Sequence, residues 1–530
     1  MTKPQPIEIE NERVLSGHSY NFFWFLSALF AFSVVFLFSQ LVSSAALPKD
    51  LWAVVFLLLA VMLISNPMVR WFLLLKMKRP LRRGPRSGSS VAVVTTYVPG
   101  LEPLAMLERT LRAMVGITYR HDTWVLDEGD SPEVRKLCET LKVNHFSRKG
   151  RSEYQTDSGT FERATKHGNY NAWLWSVGFE RYEFIVSFDP DHVPEPNFLE
   201  EVLGYFDDPK VGYVQAAQAY YNQDVSFVAA GAAAETYDYN STIQMASYGL
   251  GYPIIMGCHN SHRGVALREV GGFAAHDADD LLITIRYRKA GWEGVYVPLI
   301  LARGLTPVDW RGYLIQQRRW ARSVLDIKFG GSNQFGSALP LRTRMMSYLH
   351  GLNYLQPTLM FAGSLYLLLA CLSRGYLPFI ATNMQLVSVL LMVITLTTCH
   401  FFRQQFYLDP KTEFGLHLRA RILRLAKAPF LLLAFLDVIR GNKPKYEVTS
   451  KVRNHRGSRM LLPIFGPAAI LILIAWYRGM RAAQVYPIGL HLAAVVTVLL
   501  CLGLILSEFT ADPEPYDDSV HVRARRSDKV

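Results

Sequence analysis

Paired cysteines are missing from this chain. Its five cysteines, Cys138, Cys258, Cys371, Cys399 and Cys501, are scattered without paired metal-ligand spacing, and three lie in apolar stretches where a thiol acts as a small hydrophobe. Neither a disulfide framework nor a zinc site is expected, and the Cys258-His259-x-x-His262 run is a poor zinc pattern. No internal repeat is evident, which argues against a solenoid or propeller. The first apolar run lacks a clear cleavage site and exceeds a signal-peptide core, so it reads as an uncleaved anchor. Nor is there one basic face. The net charge is +12, but Lys and Arg gather beside apolar stretches. That is the positive-inside pattern of a membrane protein rather than a nucleic-acid footprint, and no nucleic-acid partner is expected.

Apolar residues make up 50% of the sequence. Runs at 19–44, 51–75, 347–372, 377–402, 459–476 and 485–508 are each long enough to cross a hydrocarbon core, which needs about 20 helical residues. The cluster KMKRPLRRGPR after the second run assigns residue 76 onward, and the N-terminus, to the cytoplasm. The expected layout is a tail with two spans over 1–88, a cytoplasmic domain over 89–312, and interfacial helices with two spans over 313–440. A loop over 441–458, two spans over 459–508 and a cytoplasmic tail over 509–530 follow. The apolar segment 428–439 is short and flanked by basic residues, so it is expected in the membrane interface.

Between 89 and 312, β-branched runs such as VAVVTTYV, DTWVLD, YEFIVSFD and VGYVQAA alternate with helical stretches. This rhythm predicts an α/β domain with a mostly parallel, Rossmann-like sheet inserted in the helical part. Asp189 and Asp191 leave a predicted strand end together, where open α/β sheets bind ligands. Two carboxylates there suit Mg²⁺ or Mn²⁺ carried with a phosphate. Asp127 ends another strand, and Lys166, Gly168 and Asn169 mark a helix entrance whose Lys and backbone amides suit a diphosphate. Asp279 and Asp280 open a later helix. On a basic amphipathic helix, Gln316, Arg319 and Trp320 share one face and offer an amide, a guanidinium and a stacking ring.

Taken in order, these motifs resemble family 2 glycosyltransferases of the cellulose synthase type: an Asp after the first strands, Lys-x-Gly-Asn, D-x-D, an acidic pair and Q-x-x-R-W. KYEVTSKV further on is similar to that family's gating loop, with Tyr446, Val448, Thr449 and Lys451 matching F-x-V-T-x-K. The resemblance implies a GT-A domain and transfer from a nucleotide sugar, with UDP-glucose the expected donor. It also implies roles. Tyr97, Asp127, Lys166, Asp189, Gln316, Arg319, Thr449 and Lys451 would serve the donor, Asp189 and Asp191 the metal, and Asp280 would be the base. Trp320, Cys258 and His259 would meet the acceptor, a growing polysaccharide. An accessory export subunit is a further expected partner.

The pattern departs in three places. The family's Y-N-E is Tyr97-Val98-Pro99, so an acidic residue is missing; T-E-D is Ala278-Asp279-Asp280; and F-F-C-G-S is replaced by MGCHNSHRG. The last change bears on sugar and linkage, which leaves a β-1,3-glucan, a mannan or an amino-sugar polymer as alternatives to cellulose. An export channel with a non-catalytic domain is a further alternative, opposed by the intact acidic positions. With about twenty residues after the last span, no cyclic-di-GMP-binding domain is expected there.

Overall fold

A computed structural model describes residues 8–42, 51–329, 341–375, 383–442 and 459–509. Thr449 and Lys451, and with them the expected gating loop, lie outside the described residues.

Eight strands form one sheet: β1 (Val91–Tyr97), β2 (Asp122–Asp127), β3 (Asn144–Phe146), β4 (Phe184–Phe188), β5 (Val193–Pro194), β6 (Val211–Tyr220), β7 (Asn260–Arg263) and β8 (Glu293–Gly304). Their order is β3-β2-β1-β4-β7-β6-β8-β5. Neighbours β1–β2, β1–β4, β2–β3 and β6–β8 run parallel. The sheet is mixed because β7 enters antiparallel between β4 and β6, and β5 pairs antiparallel with β8.

Both sheet faces are covered, so β1 reads as a continuous buried run rather than an alternating one. Its residues still divide by side: Ala92 and Val94 join one core, with Trp124, Leu126 and Trp173, while Val91, Val93 and Tyr97 join the other, with Leu107, Val125 and Phe198. Each such aliphatic or aromatic side chain contributes about 1.5–3 kcal/mol on burial.

Among the described residues, six helices are long and apolar enough to cross a membrane: Gly17–Leu41, Val54–Lys76, Asn353–Arg374, Asn383–Gln404, Leu462–Ala482 and Ile488–Ser507. They coincide with the six apolar runs of the sequence. An ion-paired junction ties two of them to the α/β part. Arg70 of the second reaches Asp238 at 2.7 Å, and Arg403 of the fourth reaches the same carboxylate at 3.0 Å.

The 428–439 stretch is the second half of the helix Leu418–Ile439. It lies along the helix Trp310–Phe329: Tyr313 and Leu314 meet Leu423 and Phe430, and Ala321 and Leu325 meet Leu431 and Ala434. Arg318 and Asp437 close the contact at 2.6 Å. Most of Trp310–Phe329 is thus covered by protein, although its sequence reads as a surface helix.

Candidate active site

The parallel strands deliver their C-terminal ends to one edge. Tyr97 and Asp127 are register partners there, and Asp189 follows β4 directly. Asp127 is fully buried, and its carboxylate accepts bonds from the amides of Gly129 at 3.0 Å and Ser131 at 2.6 Å. It therefore shapes the loop after β2. Tyr97 is buried too, and its hydroxyl donates to the Glu102 carbonyl at 2.8 Å. The Glu102 carboxylate accepts from the Val98 amide at 3.1 Å. An acidic group missing from the strand end by sequence order is brought back to it by a turn.

Thr165 caps the helix Lys166–Trp173, its Oγ1 accepting from Gly168 N at 3.1 Å. The amides of Gly168 and Asn169 are both taken by Thr165, so they are not the free donors expected from sequence. Gly168 is needed for packing: a Cβ there would stand 2.1 Å from the Glu162 carbonyl oxygen. Asn169 anchors the helix by donating to the Leu126 carbonyl at 3.0 Å.

Lys166 points into the cleft, where its ammonium donates to Asp189 and to the Gly257 carbonyl at 2.7 Å. Burial opposes its charge, but Asp189, Tyr170 and Asp279 together outweigh it and hold the pKa well above the ordinary value. Beyond Asp189, the Asp191 carboxylate is buried and accepts from the Leu305 amide at 3.4 Å. One ligand atom each from Asp189, Asp191 and His192 lies within 4.8 Å of the others. Two converging carboxylates are the donor set a hard divalent cation prefers, so Asp189 and Asp191 fit one.

Gly257 also connects this group to the acidic pair, since a Cβ on it would sit 4.0 Å from Asp280 Oδ2. Asp279 and Asp280 begin the helix Asp279–Lys289, as the sequence implies. The Asp280 carboxylate accepts from the Leu281 amide at 2.7 Å. Burial, then the neighbouring Asp279 charge, pushes the Asp280 pKa up to about 7. Asp279 is raised by burial as well, with Lys166 working against the shift.

Gln316 is buried, whereas the Trp320 ring is 38% exposed on the same helix. The neighbour of Gln316 is fixed by a buried chain that sequence order does not reveal. Lys427 donates to Gln317 Oε1 at 2.8 Å and to Glu235 at 2.9 Å, and Tyr313 donates to Glu235 at 2.6 Å. Cys258 and His259 are 1% and 0% exposed, so neither presents an open surface to an acceptor in this conformation. Cys258 Sγ meets Gln218 Nε2 at 2.8 Å, and burial pushes the His259 pKa down to about 3.

Residues 184–402 match the family described as Glycosyl transferase family group 2. The chain is 26% identical over 272 residues to a protein named cellulose synthase 1 from Komagataeibacter xylinus, covering 48% of this chain and 17% of that one. These likenesses support a cellulose synthase-like family 2 glycosyltransferase. A glucomannan 4-beta-mannosyltransferase 1 from Cyamopsis tetragonoloba is 23% identical over 257 residues, covering 46% of this chain and 47% of that protein. The chain thus spans less than half the length of either relative. In three dimensions the glycosyltransferase fold is similar to a mannosyltransferase from Pyrobaculum calidifontis solved with GDP-Man and Mn²⁺, with TM-score 0.53, 17% identity, and coverage of 74% of this chain and 100% of that one. That likeness supports a GT-A fold for the domain between the membrane helices.

Proposed function

We propose that this chain is an inverting, processive glycosyltransferase that extends a β-linked polysaccharide from a nucleotide sugar at the cytoplasmic face of the membrane and passes the product through its own helices. The observation that carries the reading is Asp280, a carboxylate pushed up to about 7 in a cleft it shares with Gly257 and the Lys166–Asp189 pair. At neutral pH such a group is partly ionised and basic enough to accept a proton from a sugar hydroxyl.

The acceptor hydroxyl oxygen attacks C1 of the donor sugar while the bond from C1 to the diphosphate oxygen breaks. The hydroxyl proton passes to Asp280, and the α linkage of the donor becomes a β linkage. Lys166, Gln316 and Arg319 supply charge and hydrogen bonds to the departing diphosphate, where preorganised donors lower the barrier. A divalent cation, Mg²⁺ or Mn²⁺, held by Asp189 and Asp191 would neutralise the leaving diphosphate. Tyr97 and Asp127 shape the nucleotide end of the cleft. The exposed Trp320 ring stacks on the terminal sugar of the acceptor, with Cys258 and His259 bordering that end.

UDP-glucose and a β-glucan such as cellulose are the proposed donor and product. A mannan is the second reading, favoured by the likeness to a glucomannan 4-beta-mannosyltransferase. The test is to supply inside-out membrane vesicles containing the protein with UDP-glucose, GDP-mannose and UDP-N-acetylglucosamine separately, and to determine the linkage of any polymer. A β-glucan from UDP-glucose supports the first reading and a β-mannan the second; no polymer from any donor would overturn both.

A further inference from the structure

The sheet edge holds a second group of buried side chains, at the end of the cleft proposed to border the acceptor, to which the transfer reaction assigns no proton or group transfer. His192, Cys258 and His259 each offer one ligand atom, and the three atoms lie within 4.8 Å of one another. All three residues are buried. His192 Nε2 is 3.5 Å from Cys258 Sγ. A tetrahedral ion with bonds of about 2.3 Å to sulfur and about 2.0 Å to nitrogen would hold those two atoms roughly 3.5 Å apart. The pair already stands at bridging separation.

His259 is oriented from behind by a backbone carbonyl, and His192 lies against a carboxylate. His192 Nδ1 faces Asp191 Oδ1 at 3.4 Å, and His259 Nδ1 is 3.0 Å from the Ala217 carbonyl oxygen. A carboxylate or carbonyl on one ring nitrogen fixes the tautomer and turns the other nitrogen into a lone-pair donor, as in the outer shell of metal-bound imidazoles. His259 Nε2 is buried and has no hydrogen-bond partner among the described residues, which is costly unless something takes the lone pair.

A second cost falls on the same residue. His259 has φ +58°, a left-handed conformation natural for glycine and unfavourable for histidine. It is held there between two strands, its amide donating to the Ser187 carbonyl at 3.1 Å and its carbonyl accepting from the Ala216 amide at 2.9 Å. Gly304 keeps room for the facing ring, since a Cβ there would lie 2.0 Å from His192 Nε2.

We propose that Cys258, His192 and His259 bind a borderline-soft transition-metal ion of the Zn²⁺ class, separate from the hard-cation position at Asp189 and Asp191. One thiolate and two imidazoles give three protein ligands and leave a fourth position open. Binding releases the Cys258 thiol proton to solvent as the sulfur–metal bond forms. The expectation of no zinc site rests on the scattered cysteines and on the poor pattern that Cys258 and His259 make with His262. That histidine is engaged elsewhere, by Tyr287 and Asn260 at 2.9 Å each. His192, 66 positions before Cys258, stands in its stead.

The proposal does not depend on the transfer reaction, and its test reads the metal directly. The full-length, tag-free protein in detergent is stripped with chelator and titrated with Co²⁺ in excess Mg²⁺. One equivalent should produce a thiolate-to-cobalt charge-transfer absorption that Zn²⁺ abolishes by displacement and that Cys258→Ser lacks. His259→Gly suits the left-handed backbone, so it should stay folded by circular dichroism while binding Co²⁺ at least tenfold more weakly. Asp189→Asn should retain the absorption. No thiolate absorption in the wild-type protein, unchanged Co²⁺ affinity in His259→Gly, or loss of the band in Asp189→Asn would each overturn the proposal.

Discussion

The Glu102 carboxylate accepts a hydrogen bond from the Val98 amide at 3.1 Å, four positions back along the chain at the end of β1. The Tyr97 hydroxyl donates to the carbonyl of the same glutamate. One residue therefore sets the shape of the strand end beside Asp127.

Glu102→Ala should loosen this turn while leaving the sheet intact. A hydrogen bond to a charged group contributes about 1.5–3 kcal/mol, so UDP binding to the purified protein should weaken on the order of tenfold. Calorimetric titration measures this, and Glu102→Gln, which can still accept from the amide, should recover most of the affinity.

The Glu102 turn also marks the limit of sequence reading here. Strand runs such as VAVVTTY and the six apolar stretches were legible because periodicity and length are local properties. The positions of Asp189 and Asp280 were legible for the same reason, each lying beside a strand end or helix start. What sequence missed depends on distant chain segments meeting. Gly257 links Lys166 to Asp280, Lys427 braces Gln317 from the helix Leu418–Ile439, and β7 runs against its neighbours. The basic face of Trp310–Phe329 suggested a membrane surface, yet Arg318 is spent on Asp437 and Arg322 on the Asn442 carbonyl at 2.9 Å.

The acidic pair predicts a pH profile. Asp280 acts when deprotonated, so the rate should fall on the acid side with an apparent pKa of about 7 belonging to the coupled pair. Asp279→Asn removes a like charge that raises Asp280, and the acid limb should shift to lower pH. An unmoved limb in that variant would assign the titration elsewhere. The linkage sign is opposite for stability: a carboxyl raised in the folded state favours folding below its unfolded pKa, and that contribution is lost as pH rises through about 7.

At the junction, burial works against the Asp238 charge, yet Arg403 and Arg70 hold its pKa down to about 2. Asp238→Ala strands two arginines in a largely buried site, and breaking a buried pair costs about 3–5 kcal/mol. Thermal unfolding in detergent should show a clear loss of stability. In the wild-type protein this contribution is full above the unfolded carboxylate pKa and disappears as pH falls toward 2.

Trp320 offers an exposed ring on a helix mostly covered by protein. Trp320→Ala should shorten or abolish polymer while UDP binding changes less than about twofold, because the role proposed for the ring is to stack on the acceptor sugar and not on the nucleotide base. Equal losses of nucleotide binding and elongation would contradict that division.

Asp280 is proposed to take the proton during sugar transfer, and the most direct test is incorporation of labelled sugar into polymer by inside-out vesicles carrying wild-type protein or Asp280→Asn. The asparagine keeps the size and the hydrogen-bond acceptor but cannot serve as a base, so incorporation should fall on the order of 10²–10⁴-fold with protein level and UDP binding unchanged. Polymer made at the wild-type rate by Asp280→Asn would show that another group takes the proton.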